Sequence, residues 1–166
     1  MIEGPHPSPH ARSHARRAAL QAIYQWQLTE QDPQTIEQQF LTEESMRKTD
    51  IAYFHDLLYH VVRESRTLDT ALLPWLDRPT AQVDPVARAI LRIAVYELRY
   101  RFDVPWRVAI NEAIKLAKIF GAEQSHRYVN GILDKVARVV RRPDKDDRTD
   151  MDHSECAPLA STEERG

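Results

Sequence analysis

Between Val86 and Leu98 only Arg88, Arg92 and Glu97 are polar, and no other segment constrains the fold as much. A helix that is apolar on nearly every side cannot be satisfied by one neighbour, so it must be packed round by several. The stretch is also well short of the roughly 20 apolar residues that cross a bilayer. It predicts a buried central helix, opened by Asp84 as N-cap with Pro85 in the first turn and running to about Tyr100.

The flanking sequence supplies the neighbours. From Arg12 onward, Ala19, Ile23 and Trp26 recur at i, i+4 and i+7, with Ala15, Ala22 and Leu28 adding helix-compatible bulk. Asp32-Pro33 opens a short helix presenting Ile36 and Phe40, and Asp50 caps a third with the stripe Ile51, Phe54, Leu57, Leu58 and Val61. Thr67 is the expected cap of a fourth, which Pro74 should kink or end. Pro105 starts a sixth with Trp106, Ile110, Ala113, Ala117 and Phe120 on one side, and Gly121 is its expected left-handed stop. The seventh, from about Glu123, buries Val129, Ile132, Leu133, Val136 and Val140 until Pro143 ends it. The predicted class is all-α with seven helices, and the four glycines of the chain leave little material for tight-turned sheets. The link around residues 78–83 is expected to divide an N-terminal from a C-terminal helix group within one body.

The ends read differently. Residues 1–11 carry three prolines and almost no aliphatic groups, which predicts a flexible arm before a domain spanning 12–142. Residues 143–166 hold eight acidic against three basic residues, the composition of a disordered acidic tail. That net of −5 in a chain of −2 leaves +3 on residues 1–142. The single cysteine, Cys156, excludes an internal disulfide, and with no signal-peptide pattern the chain reads as cytoplasmic.

Catalytic signatures are missing: no P-loop, dinucleotide fingerprint, HExxH or nucleophile elbow can be assembled, so no enzyme and no cofactor are expected. His6, His10 and His14 recur at intervals of four, but Pro7 and Pro9 argue against a helix there, and no metal is expected.

Two basic segments carry more. Arg12, Arg16 and Arg17 cluster with His14 at the start of the first helix, where cations oppose the macrodipole and an anionic partner would account for them. Near the junction of the sixth and seventh helices lie Lys115, Lys118, Phe120, Gln124, Ser125, Arg127 and Tyr128. Cations for phosphates, aromatic faces for bases and amide or hydroxyl groups for base edges are the parts single-stranded RNA recognition needs. For Phe120 and Tyr128 the competing reading is core. Tyr24 stands two positions from Trp26 and cannot share its face, so it points toward an interface or RNA.

The segments at residues 22–28, 89–98, 104–114, 120–123 and 129–135 (AIYQWQL, AILRIAVYEL, VPWRVAINEAI, FGAE and VNGILDK) resemble the NusB family in content and order. The resemblance implies two perpendicular three-helix bundles sharing a core. It also implies pairing with NusE, a small-subunit ribosomal protein, to bind boxA RNA of ribosomal RNA leader transcripts and help RNA polymerase, with other Nus factors, resist termination. Carried over, it marks Arg12, His14, Arg16 and Tyr24 in the first helix, and Gln124, Ser125, Arg127 and Tyr128 after the Gly-Ala turn, as RNA-facing. Ser13 departs from the Arg-rich pattern of relatives. Asn111, Glu112, Asn130 and Gly131 are expected in polar networks between helices, with Gly131 allowing close approach. Some members form homodimers, so a homodimer of the free protein is a further expectation. Methyltransferases with such a helical domain need a second, α/β domain, for which the residues after the seventh helix are too few. A protein scaffold without RNA contact is the other alternative.

Overall fold

The computed structural model describes residues 8–141. Seven helices follow in order: α1 (Pro9–Thr29), α2 (Pro33–Leu41), α3 (Ile51–Arg63), α4 (Ser65–Leu72), α5 (Pro85–Tyr100), α6 (Trp106–Phe120) and α7 (Ser125–Val140). Short 3₁₀ turns at Glu44–Lys48, Leu73–Trp75 and Thr80–Gln82 fill the links, and no strand occurs among the described residues. The fold is all-α, as the periodicity predicts.

The caps explain where helices begin. Asp32, Asp50 and Asp84 each accept a backbone N–H from the first turn, and Pro33 and Pro85 occupy positions where no amide bond is lost. The same device opens α1 earlier than expected: Ser8 Oγ accepts the Ala11 N–H at 3.1 Å and Pro9 sits in the first turn. Residues 9–11 are therefore helical and do not belong to an arm. Residues 1–7 and the acidic tail lie outside the described residues. The expected cap Thr67 falls inside α4, which starts at Ser65, and Pro74 follows its end in a 3₁₀ turn.

Helices α1, α2 and α3 pack together, as do α5, α6 and α7; α1 lies against α5 and joins the two groups, and α4 also leans on α5. Every residue of α5 from Ala89 to Leu98 is buried, which makes it the central post. One continuous cluster, including Ile23, Phe54, Leu58, Ile90, Leu98, Ala113 and Leu133, forms the core.

The polar members of that post are held by buried partners. Glu97, 1% exposed, receives Arg16 from α1 through Nε at 3.0 and 2.9 Å and Nη2 at 2.8 Å. Tyr53 of α3 donates its hydroxyl to the same carboxylate, and burial together with the charge of Glu97 pushes the phenol pKa up, keeping it a donor. Arg92 forks onto Asp69 of α4 at 2.8 and 2.7 Å and reaches Gln27 of α1 at 3.0 Å. Arg141, just past α7, donates to the carbonyls of Leu98, Glu97, Arg101 and Val104 at 2.7–3.2 Å. These carbonyls sit at the C-terminal end of α5 and in the loop beyond, where the helix leaves acceptors unsatisfied.

Gly121 is not left-handed: φ is −83° and ψ 168°, an extended stop. Glycine is required there by space, since an added Cβ would lie 2.2 Å from Ser125 Oγ and 2.6 Å from the Ala117 carbonyl. The left-handed residue of this corner is Gln124, with φ 69°. Gly131 is exposed, and an added Cβ there would meet nothing within 4 Å, so it does not serve close helix approach. Asn111 and Asn130 are exposed too. Of these motif residues only Glu112 joins an inter-helix network, accepting the Ser13 hydroxyl at 3.0 Å.

Candidate nucleic-acid interface

The start of α1 splits into residues that hold the fold and residues that face outward. Arg16, expected as a phosphate contact, is 3% exposed and committed to Glu97, with Glu112 3.9 Å away. Burial works against its charge, but the Glu97 hydrogen bond and charge outweigh this and raise the guanidinium pKa. Its place at the helix start therefore has a tertiary cause, and it is not an RNA-facing residue. Arg12 is half-buried, 3.1 Å from Asp103 and 3.9 Å from Asp50, with its guanidinium 4.5 Å from the Tyr53 ring centroid. His14 is half-buried, its Nε2 3.2 Å from that of His10 on the same helix face. The proline argument against a helix there fails, while His6 lies outside the described residues. Among the described residues no group of three or more His, Cys, Asp or Glu side chains could hold a metal.

Arg17 turns outward. Its guanidinium lies 5.2 Å from the centroid of the half-buried Phe120 ring at the end of α6. That contact brings together the two segments that sequence separates by about a hundred residues. Lys118, Gln124 and Arg127 are exposed around the α6–α7 corner, and Ser125 is half-buried with its hydroxyl 3.5 Å from the Ala117 carbonyl. Among the described residues, Arg17, Lys118 and Arg127 have no carboxylate within 4 Å. Their charges are free to meet an anion.

Tyr128 is half-buried and donates its hydroxyl to Asp77 at 3.1 Å. Asp77 also takes a fork from Arg78 at 2.8 and 2.8 Å, and Arg78 lies 5.8 Å from the Tyr128 ring centroid. The Arg78 hydrogen bond, then that of Tyr128, lowers the Asp77 pKa to about 2. Arg78 thus reaches the same face from the link between α4 and α5, a placement sequence reading missed. Its only sequence signal was a basic residue in a long link, too common to single out.

Tyr24 is 38% exposed and Leu28, one turn on, 56% exposed. Together with Leu20, Phe40, Val86 and Phe120 they line an apolar cleft of about 470 Å³. Phe120 touches both surfaces: Arg17 covers its ring, and the ring forms part of the cleft. A cationic strip and an apolar groove therefore adjoin along α1. The exposure of Leu28 had no sequence signal, because it reads like any other helix apolar residue.

No helix among the described residues is long and apolar enough to cross a membrane. The NusB family model matches residues 13–138. Among curated proteins, the chain is 56% identical over 125 residues to a transcription antitermination protein NusB of Idiomarina loihiensis, covering 75% of this chain and 90% of that one. A protein of the same name from Alcanivorax borkumensis is 50% identical over 136 residues, covering 82% and 91%. Among solved structures, T. maritima NusB superposes with a TM-score of 0.68 at 28% identity, covering 82% of this chain and 93% of that one. A structure of NusB and NusE in complex with dsRNA gives the same TM-score at 21% identity, covering 80% and 99%, a likeness of fold. With the family model spanning most of the folded residues and at least half of the aligned positions identical to named members, this chain belongs to the NusB family.

Proposed function

We propose that the protein is a transcription antitermination factor that binds boxA RNA of ribosomal RNA leader transcripts together with NusE and supports RNA polymerase processivity with other Nus factors. The observation that carries this reading is Arg17 lying over Phe120, which joins the outward cation at the start of α1 to those of the α6–α7 corner. RNA lies along Arg17, Lys118, Gln124, Arg127 and Tyr128, with Arg12, His14 and Ser125 at its margins. Charge there attracts the phosphates, and the Phe120 and Tyr128 rings offer faces to unpaired bases.

NusE is assigned the adjoining apolar cleft. An exposed tyrosine and leucine beside a groove are the kind of anchor a protein partner buries, and a phosphate backbone gains nothing from them. Tyr24, which sequence leaves facing either an interface or RNA, belongs to the protein partner. The proposed role is binding and assembly, with no reaction assigned to the chain.

The test is binding of boxA RNA to the purified protein with and without NusE. Arg17→Glu combined with Arg127→Glu should weaken RNA binding by about 10-fold or more and flatten the salt dependence by about 1.4 in logarithmic slope, two phosphate contacts' worth. NusE binding should persist in that variant. Tyr24→Asp should do the reverse, abolishing NusE capture while leaving thermal stability nearly unchanged. Equal RNA affinity in wild type and the double variant would remove the cationic strip from the account.

A further inference from the structure

Phe102, in the loop between α5 and α6, has the highest fractional exposure of the large apolar side chains among the described residues, 68%. Its loop is held firmly. Arg141 donates to the carbonyls of Glu97, Leu98, Arg101 and Val104, and the Val104 N–H closes back on the Arg101 carbonyl at 3.0 Å. Arg101 grips Asp103 through two bonds of 3.0 Å and reaches Asp56 at 2.8 Å. The ring itself rests on a charge, with the Arg141 guanidinium 4.9 Å from its centroid. A planar cation thus supports an aromatic ring that is otherwise open to solvent.

The surroundings decide what such a ring is for. A protein partner needs a contiguous apolar patch. Tyr100 and Val108, close by in the chain, are also exposed, but Arg99, Arg101, Asp103 and Arg107 are interleaved with them and Phe102. The aromatic residues beside it also pair with guanidiniums: Arg99 lies 5.7 Å from the Tyr100 ring centroid and Arg107 4.8 Å from that of Trp106. Arg99 and Arg107 are exposed, and among the described residues neither has a carboxylate within 4 Å. Aromatic faces interleaved with available guanidiniums suit single-stranded nucleic acid, which offers bases to stack and phosphates to neutralise. The loop is also continuous with the start of α1, because Arg12 bonds Asp103 at 3.1 Å.

We propose that Phe102 is a base-stacking platform for an unpaired nucleotide of the bound RNA, with Arg99 and Arg107 taking the neighbouring phosphates. The inference rests on the RNA-binding reading above and extends the RNA path across the α5–α6 loop, which that reading leaves unused. The base must be unpaired, since a duplex hides its base faces in its own stack.

Two RNAs discriminate: boxA alone, and boxA extended at each end by several unpaired nucleotides. With the extended RNA and the full chain, Phe102→Ala should weaken binding by about 5- to 100-fold, the range one stacked base supplies. Phe102→Trp should bind like wild type, and 2-aminopurine placed in the contacting position should be quenched by wild type and Phe102→Trp but not by Phe102→Ala. Because the ring is exposed, the unfolding midpoint of Phe102→Ala should match wild type, so lost affinity is not lost folding. If wild type binds the extended RNA and Phe102→Ala binds it equally well, the platform is refuted and the cationic strip stands. Should wild type bind neither RNA, the RNA-binding reading falls and takes the platform with it. Loss of NusE binding with RNA affinity intact would make Phe102 a protein contact and overturn the proposal.

Discussion

Arg16→Ala should destabilise the fold by about 3–5 kcal/mol, lowering the thermal midpoint by roughly 10 °C or more. The cause is the carboxylate left behind. Glu97 sits in the middle of an apolar helix at 1% exposure, with three Arg16 contacts of 2.8–3.0 Å and the Tyr53 hydroxyl as its partners. Removing the cation leaves an ionised group in a site that cannot hydrate it, which costs more than the pair itself contributes. Replacing both members, Arg16→Met with Glu97→Leu, should therefore give a protein more stable than Arg16→Met alone. Thermal unfolding at neutral pH checks the series. An unchanged midpoint in Arg16→Ala would return this residue to the surface and to RNA.

Arg141→Ala should cost about 3 kcal/mol or more, for a related reason. The guanidinium donates to four carbonyls at the end of α5 and in the loop that follows, and it is buried there. Buried acceptors that lose a charged donor keep their desolvation cost without its compensation. Arg141→Lys should recover only part of the loss, because one ammonium cannot span four acceptors in a fixed fork. Amide hydrogen exchange at residues 98–104 should quicken in Arg141→Ala before the rest of the protein changes. Exchange and midpoint both matching wild type would contradict this assignment. The same substitution removes the support of Phe102, so affinity for extended RNA should fall with it.

Helix count and the central post were legible because they depend on local signals. Asp-Pro pairs mark starts whatever the tertiary context, and a segment as apolar as α5 has few places to go. Sequence places the start of α1 too late because Pro9 reads as part of a proline-rich, aliphatic-poor arm, although proline in a first turn behind a serine cap is a starter. The buried arginines were the larger miss. An arginine ranks as surface in any periodic pattern, and the partner of Arg16 lies 81 positions away. A signal did exist in Glu97: a carboxylate inside an otherwise apolar helix calls for a buried cation. Gly121 shows the converse, the right residue singled out for a wrong reason, since close approach by Ser125 rather than a left-handed turn demands glycine.

Of the candidate RNA contacts, those of the α6–α7 corner are singled out by residue type alone. Their union with Arg17 is not, because a ring-to-guanidinium distance across the fold has no trace in local spacing. Arg78 and Phe102 were missed because links between helices carry no periodicity to read a face from.

The most direct measurement of the central claim is the affinity of the NusE-loaded protein for boxA RNA across a range of salt concentrations. Log affinity should fall linearly with log salt, by about 0.7 for each phosphate engaged, with a shallower line for Arg17→Glu with Arg127→Glu. Affinity independent of salt, or identical slopes for wild type and that variant, would contradict the claim.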